Sequence, residues 1–297
     1  MFCDIFQRKP FYTFGSEMLW AKLAWLHARA PCFGNRRTGL LIDKAFFSEV
    51  AAAAAAQTLP RFRQLTEVDN KYSVGFDPVT EADRAAERAI RAVIGRTFPD
   101  HGILGEEYGA ENTDRSHVWI IDPVDGTRAF ISGLPVWGTL VGLTVDGDAR
   151  AGMMSQPFTG ELFYSDGDGA YLQRGDGAPR RLCVRKNAVL EDATLFTTTP
   201  ALFKGDDRKA FDRLESAVRL SRYGVDCYAF AMLAGGFVDI VVEAGLQTYD
   251  IAALIPIIEQ AGGVVTRRDG GPAEQGGDIV AAATPALHQA ALDLLHI

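Results

Sequence analysis

The feature that most constrains how this chain folds is a short apolar stretch that stops at an acidic turn. Residues 118–121 read Val-Trp-Ile-Ile, a pattern that predicts a strand buried in the core, and Asp122 ends it. Pro123 stiffens the turn that follows, so Asp122 and Asp125 can project to the same side and share ions. The sequence therefore predicts a core strand with a pair of carboxylates at its end.

The order of helical and extended patterns predicts the fold class. Helices are expected at residues 43–59, 80–98 and 250–261, and from residue 284 onward. Thr80 and Asp83 are spaced for a capping box, and Pro256 predicts a kink or an early break. Strands are expected at residues 139–145, 149–154, 237–242 and 278–283, the first two as a hairpin. Because these elements do not alternate as regular βαβ units, we expect a layered α+β architecture rather than a Rossmann fold or a barrel.

Charge and cysteine usage exclude several classes of protein. Thirty Lys and Arg against 38 Asp and Glu give a net charge of −8, which disfavours non-specific nucleic-acid binding because that binding depends on basic surface. No run of 18 apolar residues occurs, so no transmembrane helix is expected. The four cysteines are dispersed, which argues against a zinc ribbon or a disulfide scaffold and is typical of a reducing compartment. We therefore expect a cytoplasmic protein that binds neither nucleic acid nor membrane.

The first 40 residues differ from the rest of the chain. They hold six Lys and Arg against two acids, a net charge of +4. Three interpretations stay open: an extension with little function, an amphipathic interaction helix, or a targeting segment, although Lys22 interrupts the apolar region that a signal peptide needs. We expect residues 1–40 to lie outside the fold. The length of 297 residues suggests two subdomains or one large α/β unit, and we place two subdomains at residues 41–185 and 186–297.

Acidic residues recur where predicted elements begin or end. Glu106 and Glu107 follow a glycine, Asp122 and Asp125 follow the core strand, and Asp250 begins a predicted helix. With no His or Cys among them, a metal ion held here would be a hard cation such as Mg²⁺ or Mn²⁺. Each acid also has a structural interpretation, as part of a turn, a solvated loop or a helix start. Only their combination favours a shared metal site.

Two small residues follow the aspartate pair. The backbone N–H groups of Gly126 and Thr127 can point at a phosphate, especially if a helix begins there. Asp125-Gly-Thr127 also matches half of the D-x-D-G-T motif of haloacid-dehalogenase-type phosphatases. Pro123 stands where that motif carries its nucleophilic aspartate, so a phospho-aspartyl mechanism is disfavoured.

Three motifs together resemble the inositol monophosphatase family. They are Glu106-Glu107, Asp122-Pro-Val-Asp125-Gly-Thr127 and Tyr249-Asp250-Ile-Ala-Ala, which match the family's metal motifs in order and spacing. The similarity spans about residues 41–297 and implies the family's layered α-β-α-β-α sandwich. Residues 75–83, 98–107, 127–138 and 226–230 are most similar to the bacterial histidinol-phosphate phosphatase branch. Arg128-Ala-Phe130 stands where inositol-specific members usually carry Thr-Asn-Phe, which weakens the inositol interpretation.

The resemblance implies a site that binds two or three Mg²⁺, with Mn²⁺ as a possible substitute. The implied metal ligands are Glu106, Asp122, Asp125, Asp250 and the carbonyl of Val124. Gly126 and Thr127 would hold the phosphate. Asp83 and Thr127 would orient and deprotonate the attacking water, with Glu107 nearby.

The resemblance also implies contacts to the organic part of a substrate. Glu243 matches the position that contacts the alcohol portion, and Asp125 is expected to contact substrate as well. Asp226 is a weaker candidate for the ammonium or imidazole of histidinol, the alternative being a loop aspartate beside a helix start. Arg128 either touches the substrate or braces the loop by pairing with an acid.

The expected activity is Mg²⁺-dependent hydrolysis of a phosphate monoester by in-line attack of an activated water. Histidinol phosphate, an intermediate of histidine biosynthesis, is the expected substrate. Inositol 1-phosphate or another small monoester, such as a nucleotide 3′-phosphate, is an alternative. A second alternative is a family member that acts mainly as a binding or regulatory partner. Family members are commonly homodimers, so a homodimer is expected.

Overall fold

A computed structural model of the chain describes residue 42 and residues 44–64, 69–70, 78–187 and 189–296. The predicted extension, residues 1–40, lies outside the described residues. The α-helices are Lys44–Thr58 (α1), Glu81–Thr97 (α2), Thr127–Ile131 (α3), Gly205–Ala217 (α4), Tyr228–Ala234 (α5), Thr248–Ile251 (α6), Leu254–Gln260 (α7) and Pro285–Leu295 (α8). Two 3₁₀ turns are Leu190–Asp192 and Pro200–Leu202. None of these helices has both the length and the apolar character needed to cross a membrane.

The strands form two large sheets and one short pair. They are Asp69–Asn70 (β1), Pro78–Val79 (β2), Gly102–Gly105 (β3), Gly109–Glu111 (β4), His117–Asp125 (β5), Gly138–Val145 (β6), Asp148–Gln156 (β7), Glu161–Ser165 (β8), Ala170–Arg174 (β9), Arg180–Arg181 (β10), Thr194–Thr197 (β11), Leu220–Tyr223 (β12), Ile240–Leu246 (β13), Val264–Arg267 (β14) and Gly277–Ala282 (β15). β1 and β2 pair with each other in antiparallel fashion.

The larger sheet has eight strands in the order β10-β9-β8-β7-β6-β5-β3-β4. Neighbouring strands in it are antiparallel except β3 and β5, which run parallel. β5 lies between β6 and β3, and its residues from Val118 to Val124 are buried. The predicted core strand is therefore confirmed, but it continues to Asp125 instead of stopping at Asp122.

The smaller sheet has five strands in the order β12-β11-β13-β15-β14. β11 is parallel to both of its neighbours, and the other pairs are antiparallel. The two large sheets fall on either side of the subdomain boundary expected near residue 185, although the division into subdomains stays a prediction.

Helices and sheets alternate in five layers. Phe47 of α1 and Ile90 of α2 pack with Trp119 on one face of the larger sheet. On its other face, α5 and α7 form a core that also takes in residues of the smaller sheet, such as Ile279. α4 and α8 cover the far face of the smaller sheet, where Phe211 contributes to a third cluster. The expected α-β-α-β-α sandwich is confirmed.

Two predicted elements differ from the structure in their bounds. The strand expected at residues 237–242 begins only at Ile240, because the N–H groups of Phe237 and Val238 both donate to the carbonyl of Met232 and so belong to the end of α5. The helix expected at residues 250–261 is split into α6 and α7. Pro256 is the third residue of α7, where a missing N–H costs no hydrogen bond, so the early break is confirmed.

Candidate active site

One cavity of about 330 Å³ collects ten of the twelve residues that the sequence singles out. These are Glu106, Asp122, Val124, Asp125, Gly126, Thr127, Arg128, Asp226, Glu243 and Asp250. Their elements are the loop after β3, the end of β5, the start of α3, the loop before α5, the middle of β13 and α6. Its size suits a small substrate. Residues far apart in sequence therefore meet as the motifs predict.

A bulge in β5 positions the first two carboxylates. The pairing of β5 with β6 shifts register between Asp122 and Asp125, so β5 has one extra residue between them compared with β6. Asp122 Oδ1 accepts a hydrogen bond from the N–H of Val124 at 3.0 Å. The carbonyl of Pro123 accepts from the Thr139 hydroxyl on β6 at 2.8 Å. The bulge is thus held in place from both sides, and both aspartates reach the same cavity.

A short helix brings in the third carboxylate. α6 begins two residues earlier than predicted, and Asp250 is its third residue. Its Oδ2 accepts from the N–H of Gln247 at 2.7 Å, one half of a capping box. Oxygen atoms of Asp122, Asp125 and Asp250 all lie within 4.8 Å of one another. This spacing is close enough for one cation to be shared.

Glu106 adds a fourth carboxylate from the loop after β3. Its N–H donates to the carbonyl of Ile121 at 3.1 Å, which places it beside β5. Burial and then the negative charges of Glu106, Asp125 and Asp250 raise the pKa of Asp122 well above its usual value. Burial, followed by the negative charges of Asp250 and Asp226, also raises the pKa of Asp125 well above its usual value.

Four carboxyl groups crowded in a buried site fit a hard divalent cation. Buried like charges are costly unless a cation compensates them. An all-oxygen donor set with no His or Cys is the set that Mg²⁺ and Mn²⁺ prefer. The carbonyl of Val124, also at the cavity, can supply a further oxygen and already accepts the Thr127 hydroxyl at 3.1 Å.

A threonine and an aspartate form a hydrogen-bonded pair at the edge of the cavity. Thr127 Oγ1 lies 3.4 Å from Asp83 Oδ1. Asp83 Oδ2 accepts the N–H of Thr80 at 2.9 Å, so the predicted capping box at the start of α2 is confirmed. Burial raises the pKa of Asp83 to about 6, because its effect exceeds that of the hydrogen bonds from Thr80, which lower the pKa. A carboxylate with this pKa is mostly ionised at pH 7 and can accept a proton.

Gly126 makes the tight turn between the acidic strand and α3. Its φ of 81° lies in the left-handed region, which favours glycine. A Cβ at this position would lie 3.1 Å from the Asp226 side chain. The N–H groups that open α3 have no acceptor within that helix, so the turn can present them to a phosphate.

Two further carboxyl groups, those of Glu243 and Asp226, line the same cavity. Glu243 is 2% exposed, and its Oε1 accepts from the N–H and the hydroxyl of Thr198, at 2.6 and 3.1 Å. Its Oε2 is buried and has no hydrogen-bond partner among the described residues. Burial raises the pKa of Glu243 to about 8. Burial also raises the pKa of Asp226, and the positive charge of Arg128 opposes that rise.

The two remaining candidates stand apart from the cavity lining. Asp83 reaches the cavity through Thr127, as described above. Glu107 does not line the cavity, and its N–H donates to the carboxylate of Glu87 at 2.7 Å. Its expected catalytic role stays a prediction.

Sequence reasoning missed two residues of this site. The N–H of Cys227 donates to Asp125 Oδ2 at 2.8 Å, and the Cys227 side chain is buried. Thr198 binds Glu243, as described above. Thr198 directly follows β11, so its position at a strand end was a usable signal. The backbone contact of Cys227 has no signature in sequence.

Comparisons with known proteins agree on the family. The model of the inositol monophosphatase family matches residues 43–297. The chain is 38% identical to the bifunctional phosphatase IMPL2, chloroplastic, of Arabidopsis thaliana, over 91% of this chain and 81% of that protein. It is 38% identical to a histidinol-phosphatase of Mycobacterium tuberculosis, over 69% of this chain and 79% of that protein. An inositol monophosphatase from Zymomonas mobilis superposes with a TM-score of 0.75 at 35% identity, covering 85% of this chain and 97% of that one.

Proposed function

Because this chain belongs to the inositol monophosphatase family, we propose that it hydrolyses histidinol phosphate with Mg²⁺ bound at the acidic cluster. The coarser activity, that of a phosphatase acting on phosphate monoesters, follows from the family. Histidinol-phosphatases and inositol monophosphatases are similar to the chain to about the same degree. The choice of substrate therefore depends on the cavity itself.

The choice of histidinol phosphate as substrate depends on the position of Asp226 in the cavity. Its φ of 43° lies in the left-handed region, which aspartate adopts more readily than most non-glycine residues. It lies against the Gly126 turn, where the phosphate is expected and where the organic part of a substrate must begin. Together with Glu243 it gives this part of the cavity two carboxyl groups. Such a pocket suits the ammonium or imidazole of histidinol better than the uncharged ring of inositol.

The chain's own residues supply the proton transfer and the phosphate contacts. Thr127 Oγ1 lies within reach of both the Val124 carbonyl and Asp83 Oδ1. When its hydroxyl hydrogen turns from Val124 toward Asp83, an oxygen lone pair is left to accept a proton from the attacking water. That proton passes to Thr127 as the Thr127 proton passes to Asp83. The N–H groups of Gly126 and Thr127 take up charge on the phosphoryl oxygens.

The acidic residues would hold the metal. Glu106, Asp122, Asp125 and Asp250, with the Val124 carbonyl, are the proposed ligands. A bound divalent cation supplies Lewis-acid stabilisation of the charge that develops on the oxygens around phosphorus. Because phosphate monoesters hydrolyse so slowly in water, the site must lower the barrier by roughly 20 kcal/mol.

Phosphate release from two substrates tests the proposal. With Mg²⁺ present, kcat/KM for histidinol phosphate should exceed that for inositol 1-phosphate by at least about tenfold, a difference of roughly 1.4 kcal/mol in transition-state binding. A higher value for inositol 1-phosphate, or for a nucleotide 3′-phosphate, would overturn the choice of substrate. Absence of phosphate release from every ester would favour the binding or regulatory alternative.

The variant Asp226→Asn tests whether Asp226 selects histidinol phosphate over inositol 1-phosphate. It should raise KM for histidinol phosphate while leaving that for inositol 1-phosphate nearly unchanged, because it removes only the charge. Asp146→Asn is the matched control, since Asp146 also has a left-handed φ, of 52°, but lies in the turn between β6 and β7. Equal losses on both substrates would contradict a role in specificity. The cytoplasmic location and the homodimer stay predictions.

A further inference from the structure

We propose that Glu87 is the positioning residue that fixes the Glu106 loop, Gly105–Tyr108, against the acidic cluster. This inference rests on the proposed function, in which Glu106 is a metal ligand. Glu87 lies in α2 with none of its surface exposed, and it does not line the cavity. A carboxylate this deeply buried requires several hydrogen bonds.

The Glu87 carboxylate binds the backbone directly after Glu106. Its Oε2 accepts from the N–H of Glu107 at 2.7 Å, and its Oε1 accepts from the N–H of Tyr108 at 3.2 Å. Arg91, one helical turn further along α2, donates through Nε to Oε1 at 2.8 Å. The Arg91 guanidinium also donates to the carbonyl of Gly109. α2 therefore holds the whole turn between β3 and β4.

The loop is held by β5 as well as by α2. The N–H of Glu106 donates to the carbonyl of Ile121 on β5 at 3.1 Å. On the side of α2 the contact is so close that a Cβ on Gly105 would lie 1.9 Å from Glu87 Oε1. Glycine is required at residue 105 because the Glu87 side chain occupies that space. Glu106 therefore cannot move relative to β5 unless the Glu87 contact is released.

α2 sets the distance between two parts of the site. Asp83 and Glu87 are four residues apart, one helical turn on the same face, or about 6 Å along the axis. Asp83 contacts Thr127, and Glu87 holds the Glu106 loop. The helix thus fixes the distance between Asp83, the proposed proton acceptor, and Glu106, a proposed metal ligand.

Only a carboxylate satisfies the donors around this position. Three N–H donors, from Glu107, Tyr108 and Arg91, converge on two oxygen atoms. In Glu87→Gln the amide nitrogen is itself a donor, so at least one of the three is left without an acceptor. The loop should then relax away from α2 and take Glu106 with it.

The first test measures metal binding without substrate. Titration calorimetry with Mn²⁺ should give a dissociation constant 10- to 100-fold higher for Glu87→Gln than for the wild type, the usual range for loss of an outer-shell partner. The Mg²⁺ concentration for half-maximal phosphate release should rise by a similar factor. Asp239→Asn is the matched control, because Asp239 is also fully buried and accepts from a backbone N–H, that of Thr194, and from Arg185, both at 2.9 Å. It should change Mn²⁺ binding less than twofold.

A double-mutant cycle tests the contact itself. Gly105→Ala should weaken Mn²⁺ binding, because its new methyl group pushes on the Glu87 carboxylate. Adding Gly105→Ala to Glu87→Ala should cause little further loss, because that carboxylate is then gone. Additive losses in the double variant would overturn the proposal, as would unchanged Mn²⁺ affinity in Glu87→Gln. If no Glu87 or Gly105 variant folds while Asp239→Asn does, Glu87 is a folding determinant and the proposal is also overturned.

Failure of the proposed function gives a different result. A wild-type protein that binds Mn²⁺ at the cluster but does not cleave histidinol phosphate would refute the substrate and leave the Glu87 test intact. A wild-type protein that does not bind Mn²⁺ would refute both.

Discussion

Replacing Asp83 by asparagine should change how the stability of the metal-free protein depends on pH. Asparagine removes the ionisable group but keeps a side-chain oxygen that can accept the N–H of Thr80, so the capping box at the start of α2 survives. Any change in the cap is the same at every pH. The pH-dependent part of the effect therefore reports mainly the ionisation of Asp83, with a smaller part from its electrostatic coupling to Glu106.

The size of the effect follows from the pKa of Asp83, which burial raises from 3.8 to about 6. A carboxyl group whose pKa rises on folding contributes stability that is fully present below pH 3.8 and is lost as the pH rises through about 6. At roughly 1.4 kcal/mol per pKa unit, ionised Asp83 costs the wild type about 3 kcal/mol at pH 8 and about half as much at pH 5. The substitution removes this cost, so its stabilising component is about 1–2 kcal/mol larger at pH 8 than at pH 5.

Urea unfolding followed by circular dichroism, in EDTA at pH 5 and pH 8, measures this difference. The free energy of unfolding of Asp83→Asn minus that of the wild type should be about 1–2 kcal/mol more positive at pH 8 than at pH 5. With Mg²⁺ restored, the same variant should lose at least about 100-fold in kcat, because no general base remains. An identical difference in unfolding free energy at both pH values, or a larger one at pH 5, would refute the burial of an ionised Asp83.

Three further predictions concern the turn, the hydroxyl and the metal. Gly126→Ala places an alanine in a left-handed backbone, which costs roughly 1–2 kcal/mol of stability, and its methyl group presses on Asp226, so kcat/KM should fall. Gly147→Ala is the control, because Gly147 has a φ of 91° and no neighbouring atoms within 4 Å; it should lose stability but keep its activity. Equal losses of activity in the two variants would contradict a role of the Gly126 turn in the site. In phosphate-release assays, Thr127→Val should have a much lower kcat than the wild type, and Thr127→Ser should keep the wild-type kcat. Wild-type activity in the valine variant would exclude proton transfer through the Thr127 hydroxyl. Mg²⁺ at 100 times the Kd that it has at pH 8 should raise the unfolding free energy by about 2.7 kcal/mol at pH 8. The same Mg²⁺ concentration should raise it by less at pH 5, because protons compete for Asp122, whose pKa is raised. An equal rise at both pH values would count against a carboxylate site.

The sequence predicts the parts of this fold that depend on local chemistry. The buried strand β5, the capping box at Thr80, the break near Pro256 and the helix begun by Thr284-Pro285 all follow from short patterns and are confirmed. The strand expected from residue 237 failed because apolar Phe237, 42% exposed, belongs to a helix end closed by Met232. Apolar character alone does not distinguish those two environments.

The site is predictable to the extent that its residues lie in motifs. The acids at strand and helix ends were identified because each stands beside a glycine, a proline or an element boundary. Glu87 was not identified, because a glutamate in the middle of a helix is ordinarily solvated, and only the fold brings the backbone of residues 107 and 108 onto it. The contact of Cys227 with Asp125 is made by a backbone N–H, which any residue type could supply.

Phosphate release by Asp122→Asn across a wide range of Mg²⁺ concentrations tests the central claim most directly, because Asp122 is the most buried acid of the cluster and shares its site with Asp125 and Asp250. The substitution keeps the shape of the side chain and removes its charge. We expect no turnover at any Mg²⁺ concentration in a protein whose circular dichroism matches the wild type. Near-normal turnover in that variant would contradict the assignment of the acidic cluster as the metal site.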